Sequence, residues 1–109
     1  MPRPTGLKRR DFDLVLDEGG RARRDGLAVH VRRRSDAGPS RLGLAVRASG
    51  AVARNRIKRR LRAAWSGLEA PPGFDVVIRC RGEIEGVDFQ ELEMHLIEAA
   101  RAAGLEPAS

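Results

Sequence analysis

The chain has one cysteine, Cys80, in 109 residues, which rules out an internal disulfide. Its two histidines, His30 and His95, are far apart in sequence, so the ligands of a structural zinc site are missing. Aromatic residues are also few: Phe12, Phe74, Phe89 and Trp65, with no tyrosine. Strands that read single-stranded RNA by stacking usually expose several aromatics, so that mode is poorly supplied here. No apolar run approaches the roughly 20 residues of a membrane helix. Met1-Pro-Arg-Pro lacks the apolar stretch of a secretory signal. The expectation is a soluble cytoplasmic protein with no membrane partner. Nucleophile-elbow and phosphate-loop motifs are absent too. Asp11, Asp13 and Asp17 fall at i, i+2 and i+6 and do not converge as metal carboxylates would. No catalytic residue, metal site or bound cofactor is expected in the chain itself.

What the chain has is positive charge, unevenly placed. Residues 1–65 carry 18 Lys or Arg against 6 Asp or Glu, a balance of +12. Residues 66–81 are neutral, and residues 82–109 carry −6. A polyanion facing the first part of the chain follows from that asymmetry. Nearly all the cations are arginine, which forks onto phosphates and stacks on bases.

The hydropathy pattern fits one small α+β domain over 1–109, with a flexible basic lead-in over 1–10 and a flexible tail over 105–109. Asp11 is placed to cap a helix over about 11–18, with Phe12, Val15 and Leu16 on one face. A short strand near Arg21–Arg24, a turn at Asp25-Gly26 and a strand over Leu27–Arg33 read as a hairpin. Leu27, Val29 and Val31 share one face of the second strand, and Ala28, His30 and Arg32 the other. Leu42–Arg47 is a further strand, most simply the antiparallel partner of Leu27–Arg33. A helix spans about Val52–Trp65, with Gly67 and Pro71-Pro72-Gly73 ending that unit. Phe74–Arg81 reads as a buried central strand. After a loop over Gly82–Val87, Asp88 and Glu91 form a capping box for a last helix. Leu92, Leu96, Ala99, Ala100 and Ala103 make its apolar stripe, and Gly104 closes it.

The segment Arg54-Asn55-Arg56-Ile57-Lys58-Arg59-Arg60-Leu61-Arg62 is the densest run of charge, with no acid inside it. Wound at about 100° per residue, it gathers Ile57, Leu61, Ala64 and Trp65 on one arc. Arg54, Lys58 and Arg62 make an i, i+4, i+8 row beside that anchor. Like charges at this spacing each cost an isolated helix roughly 0.2–0.5 kcal/mol. With no acid on the helix to offset them, phosphates from outside are the natural counter-charge. By charge alone the polyanion stays open between RNA and DNA. A ribosomal or other structural RNA-binding protein is the main alternative. A DNA-reading helix over 53–65 lacks a partner helix across a short turn.

Gly50-Ala-Val-Ala-Arg-Asn-Arg-Ile-Lys-Arg-Arg-Leu-Arg62, centred on Arg54-Asn55-Arg56, resembles the signature of the bacterial ribonuclease P protein family. The flanks agree: Leu7-Lys8-Arg9-Arg10-Asp11-Phe12, the strand Gly43–Val46, and Gly73-Phe74-Asp75-Val76-Val77-Ile78-Arg79. The resemblance covers about residues 7–103. It implies an αβββαβα order, a two-layer sandwich on a four-stranded sheet, and a left-handed βαβ crossover carrying the Arg-rich helix, the ribosomal S5 domain 2-like fold. It further implies a non-catalytic protein subunit of an endoribonuclease. Its partners would be a catalytic RNA, which with Mg²⁺ does the hydrolysis, and precursor tRNA, with no DNA partner. Arg54, Asn55, Arg56, Lys58, Arg59 and Arg62 match the family's RNA contacts. Lys8, Arg9, Phe12, Leu16, Ala28, His30 and Arg47 match a cleft for the 5′ leader. Leu16 stands where the family often has Phe, and His30 where it often has Tyr. The turn Arg47-Ala48-Ser49-Gly50-Ala51 is shorter than usual and lacks basic residues that the family carries before the motif.

Overall fold

Residues 6–106 are described by a computed structural model. Helix α1 spans Arg9–Glu18 and strands β1 and β2 span Gly20–Arg24 and Leu27–Arg33. Strand β3 (Arg41–Arg47) leads into helix α2 (Ala51–Leu68), then strand β4 (Phe74–Arg81). A 3₁₀ turn over Gly82–Gly86 and helix α3 (Phe89–Ala102) complete the order. The β1–β2 hairpin forms as its sequence predicts. Asp25 and Gly26 both take positive φ, the backbone that a two-residue hairpin turn requires.

The sheet order is β1-β2-β4-β3. The expected antiparallel pairing of β2 with β3 is therefore wrong: β4 lies between them, antiparallel to β2 and parallel to β3. The most apolar strand takes an interior place, buried on both faces from Phe74 to Ile78 and exposed only at Arg79 and Arg81. Parallel β3 and β4 then need the crossover that α2 supplies.

Register sorts the side chains into rows across the sheet. On one face lie Leu42, Val76 and Val31, then Leu44, Ile78, Val29 and Ala22, then Val46, Cys80 and Leu27. Helices α2 and α3 close over these rows with Ile57, Leu61, Trp65, Leu92 and Leu96, forming the main core. The two-layer expectation holds for this side. Helix α1 lies on the other face, where Val15 and Val77 are both fully buried outside that core.

Several local expectations change. Helix α1 begins at Arg9, and Asp11 is its third residue rather than its cap. Part of the expected lead-in is tied to the fold: Gly6 bridges to Leu42 and Lys8 already takes the N-cap position. Residues 1–5 and 107–109 lie outside the described residues. Of the expected tail, Leu105 is buried and its N–H donates to the Ala100 carbonyl. Helix α2 runs through Gly67 to Leu68 and stops where Glu69 turns left-handed. One internal glycine costs a helix about 1 kcal/mol, which the packing of α2 offsets. The Gly82–Val87 loop contains the 3₁₀ turn, with Ile84 buried in the core. Asp88 caps α3 by accepting from the Gln90 N–H, one residue short of the Glu91 donor of a capping box.

Candidate nucleic-acid interface

Two cationic surfaces emerge from this frame. The first is the outer side of α2. Ile57, Leu61, Ala64 and Trp65 are buried beneath the helix, as their spacing predicts. Arg54, Asn55, Arg56, Arg59 and Arg62 are exposed, and Lys58 is half-buried. Among the described residues only one of this group has an ion-pair partner: Arg56 Nη1 lies 2.7 Å from Glu85 Oε1. Glu85, on the 3₁₀ turn, is a counter-charge from elsewhere in the chain that reading the helix alone misses. Arg60, the cation left out of the candidate set, turns inward. It donates to the carbonyls of Ile84 (3.1 Å), Glu85 (3.0 Å) and Val87, and so ties the 3₁₀ turn to α2.

The second surface is the part of the sheet that α1 leaves open. A cleft of about 620 Å³ lies there, within the range of ordinary ligand sites. Phe12 and Leu16 of α1 line it together with Ala28 and Arg47, so four expected cleft residues converge. Register defines the floor. Ala45, Arg79, Ala28 and Arg23 form one row across all four strands, and every member lines the cleft. Arg47 and Arg81 are register partners at its end. The lining thus holds four arginines and one carboxylate, Glu83. Alternating small and cationic side chains give a polyanion room to approach the sheet closely.

Arg23, Arg79 and Arg81 were missed from sequence. Reading Phe74–Arg81 as a buried run hid its alternation, which turns Arg79 and Arg81 away from the main core. The hairpin register, once fixed, sets Arg23 opposite Ala28. Arg81 also stands beside the position where the short turn before α2 lacks a cation.

Lys8 and Arg9 are exposed at the start of α1 and do not line the cleft. His30 departs furthest from expectation. Expected on the polar side of its strand, as a solvated ring or a stacking one, it is only 5% exposed, and neither ring nitrogen has a partner. It shares a sheet row with Gly43 and Val77. That row runs close under α1: a Cβ on Gly43 would lie 2.8 Å from the Phe12 ring. Burial, then the charges of Arg79, Arg21 and Arg23, pushes the His30 pKa below its ordinary value, which favours the neutral ring. In this arrangement it offers no open face for stacking. Cys80 borders the cleft, but burial and the nearby Glu83 charge push its thiol up to about 11, so it remains protonated and is a poor nucleophile. Among the described residues no three His, Cys, Asp or Glu side chains gather as a metal site would require, and no helix is long and apolar enough to cross a membrane.

A helix row of uncompensated cations beside an arginine-floored cleft, on an α+β sandwich with a parallel β3-α2-β4 unit, defines an α+β protein built to meet a polyanion. Comparison with known proteins narrows the class. Residues 1–104 match the family model described as Ribonuclease P. The chain is 34% identical to the ribonuclease P protein component of a Picosynechococcus species, over 91% of this chain and 93% of that one. It is 36% identical to the component from Streptomyces avermitilis, over 88% and 89%. The solved ribonuclease P protein of Thermotoga maritima superimposes with a TM-score of 0.73 at 30% identity, covering 88% of this chain and 94% of that one. The Staphylococcus aureus protein, at 20% identity, shares the fold with a TM-score of 0.79, over 95% and 98%. The chain belongs to the ribonuclease P protein family, with the ribosomal S5 domain 2-like fold that the resemblance implies.

Proposed function

We propose that this chain is the protein subunit of a ribonuclease P ribonucleoprotein, acting in 5′-end maturation of tRNA in the cytoplasm. The observation that carries this reading is the pairing of the two cationic surfaces on a fold of this family. Helix α2 presents Arg54, Asn55, Lys58, Arg59 and Arg62 to a catalytic RNA, with Arg56 joining where a phosphate displaces Glu85. The cleft walled by Phe12 and Leu16 and floored by Arg79, Ala28 and Arg23 takes the single-stranded leader of precursor tRNA, with Lys8 and Arg9 at the approach. Arg47 and Arg81 lie at the cleft end nearest α2, since Ala48-Ser49-Gly50 joins β3 directly to that helix. One RNA assembly can therefore meet both surfaces at once.

Hydrolysis belongs to the partner RNA and its Mg²⁺, and the chain contributes binding and positioning. Family membership favours this function over the ribosomal alternative. Reconstitution tests it. The chain alone should leave precursor tRNA intact and should restore cleavage by the cognate RNA at low Mg²⁺. Cleavage by the purified chain without RNA would refute the assignment.

A further inference from the structure

One row of the sheet takes no part in either surface as described. Arg41, Asp75 and Arg32 are register partners on β3, β4 and β2, on the face that carries α1. The two ends of α1 are ion-paired to the two ends of this row. Asp11 Oδ2 lies 3.3 Å from Arg41 Nη1, and Glu18 Oε1 lies 3.4 Å from Arg32 Nε. Between them Asp75 is fully buried and accepts from Arg41 Nε at 2.8 Å and Arg41 Nη2 at 2.7 Å. Arg34 Nη1 also donates to it, at 2.8 Å, on the same Oδ1 that Arg41 Nε reaches. The Arg41 guanidinium is therefore fixed from below before it meets α1.

This row sets where α1 lies. Helix α1 covers the adjacent Gly43, Val77 and His30 row and leaves the next row, with Arg79 at its centre, open as the cleft floor. A shift of the helix toward the floor would close the cleft, and a shift away would remove its wall. The two pins are unequal. The Asp11 and Arg41 side chains are 22% and 25% exposed, while those of Glu18 and Arg32 are 58% and 28% exposed. Solvent screens the second pair more, so the first governs the helix position. Asp11 also immediately precedes Phe12, the aromatic wall of the cleft.

We propose that Asp11 and Arg41 are positioning residues for leader recognition: their ion pair, braced by Asp75, holds α1 at the distance from the arginine floor that a single strand of RNA requires. This rests on the reading of the cleft as the leader site. The test uses the holoenzyme reconstituted with its cognate RNA. The readout is the ratio of affinities for a precursor tRNA with its leader and for the same tRNA without one. D11N should lower that ratio by roughly three- to fivefold, the scale of a partly screened ion pair. D11E, which keeps the charge, should recover most of it. Affinity of the protein for the catalytic RNA should not change, because Asp11 is remote from the α2 row.

F12A separates the proposal from the reading beneath it. If F12A lowers the ratio and D11N does not, the positioning role is wrong and the leader cleft stands. If neither substitution moves the ratio, the leader cleft itself is wrong. If D11N weakens catalytic RNA binding as much as leader binding, or D11E behaves like D11N, the role is merely structural and the proposal fails.

Discussion

Replacing Asp75 with alanine is the sharpest test of how this fold is held. The carboxylate is fully buried and accepts three short hydrogen bonds, one from Arg34 and two from Arg41. Removing it strands two guanidinium groups whose side chains are 10% and 25% exposed. Breaking a buried charge set in this way costs about 3–5 kcal/mol. Arg34 keeps Asp36 and the carbonyls of Phe74, Gly38 and Pro39, and Arg41 keeps Asp11, so the lower end applies. A loss of about 3 kcal/mol is a large part of a small domain's roughly 5–15 kcal/mol and lowers Tm by roughly 12–24 °C. Urea and thermal unfolding followed by circular dichroism measure it. Replacing Arg34, Asp75 and Arg41 together with Met, Leu and Met should destabilise less than D75A alone, because no fully buried charge is left and the carboxylates that lose an arginine, Asp11 and Asp36, both reach solvent. The pH dependence has a definite sign. Burial by itself would raise the Asp75 pKa, but the hydrogen bonds and charges of Arg41 and Arg34 outweigh it and the net direction is down from 3.8. A depressed folded pKa gives stability that is present above the unfolded value and lost as pH falls through the folded one. The gap between wild type and D75N should therefore be full at neutral pH and narrow as pH falls below about 4. A loss from D75A under about 1 kcal/mol, or a gap that widens in acid, would refute this account.

Arg54→Ala, Lys58→Ala and Arg62→Ala combined should flatten the salt dependence of RNA affinity by roughly 2 log units per log salt, with the circular dichroism spectrum unchanged. An unchanged slope would remove this face from the interface. Ile57→Asp should unfold the domain, since it places a charge in the main core without a partner; a native melting curve would show that α2 is not anchored there. Gly43→Ala should displace the Phe12 ring, which a Cβ would approach to 2.8 Å, and cost about 1–3 kcal/mol of stability by denaturant titration.

How much of this was legible in the sequence depends on the range of the interactions involved. Elements governed by neighbours along the chain read correctly. The Asp25-Gly26 turn set the hairpin, and Phe74–Arg81 and Leu27–Arg33 formed with the expected bounds. The pairing of β2 with β3 did not. Alternation in Leu42–Arg47 shows which residues share a face but not which strand lies alongside. Here the parallel β4, reached only after 26 residues, displaced the nearer candidate. Asp11 failed for a similar reason. As a first-turn acid it suits a helix N-terminus wherever its side chain goes, so nothing local distinguishes a cap from an ion pair with Arg41, 30 positions away.

Arg56 and Arg60 show where the same boundary falls within the interface. They are one turn apart on one helix, in a run of like charges, and sequence spacing gives them nearly the same exposure. Their environments differ because the 3₁₀ turn packs beside them. Glu85 pairs with Arg56 from outside, whereas the carbonyls of Ile84, Glu85 and Val87 draw Arg60 down as a tie between elements. Arg60→Ala should accordingly cost stability, by about 1–3 kcal/mol for the buried carbonyls it leaves unpaired, and leave the RNA salt slope nearly unchanged. Glu85→Gln should do the reverse, freeing Arg56 and steepening the slope by roughly 0.7–0.9. If Arg60→Ala flattened the slope instead, Arg60 would be a phosphate contact after all, and the division of the helix into structural and RNA-facing cations would have to be redrawn.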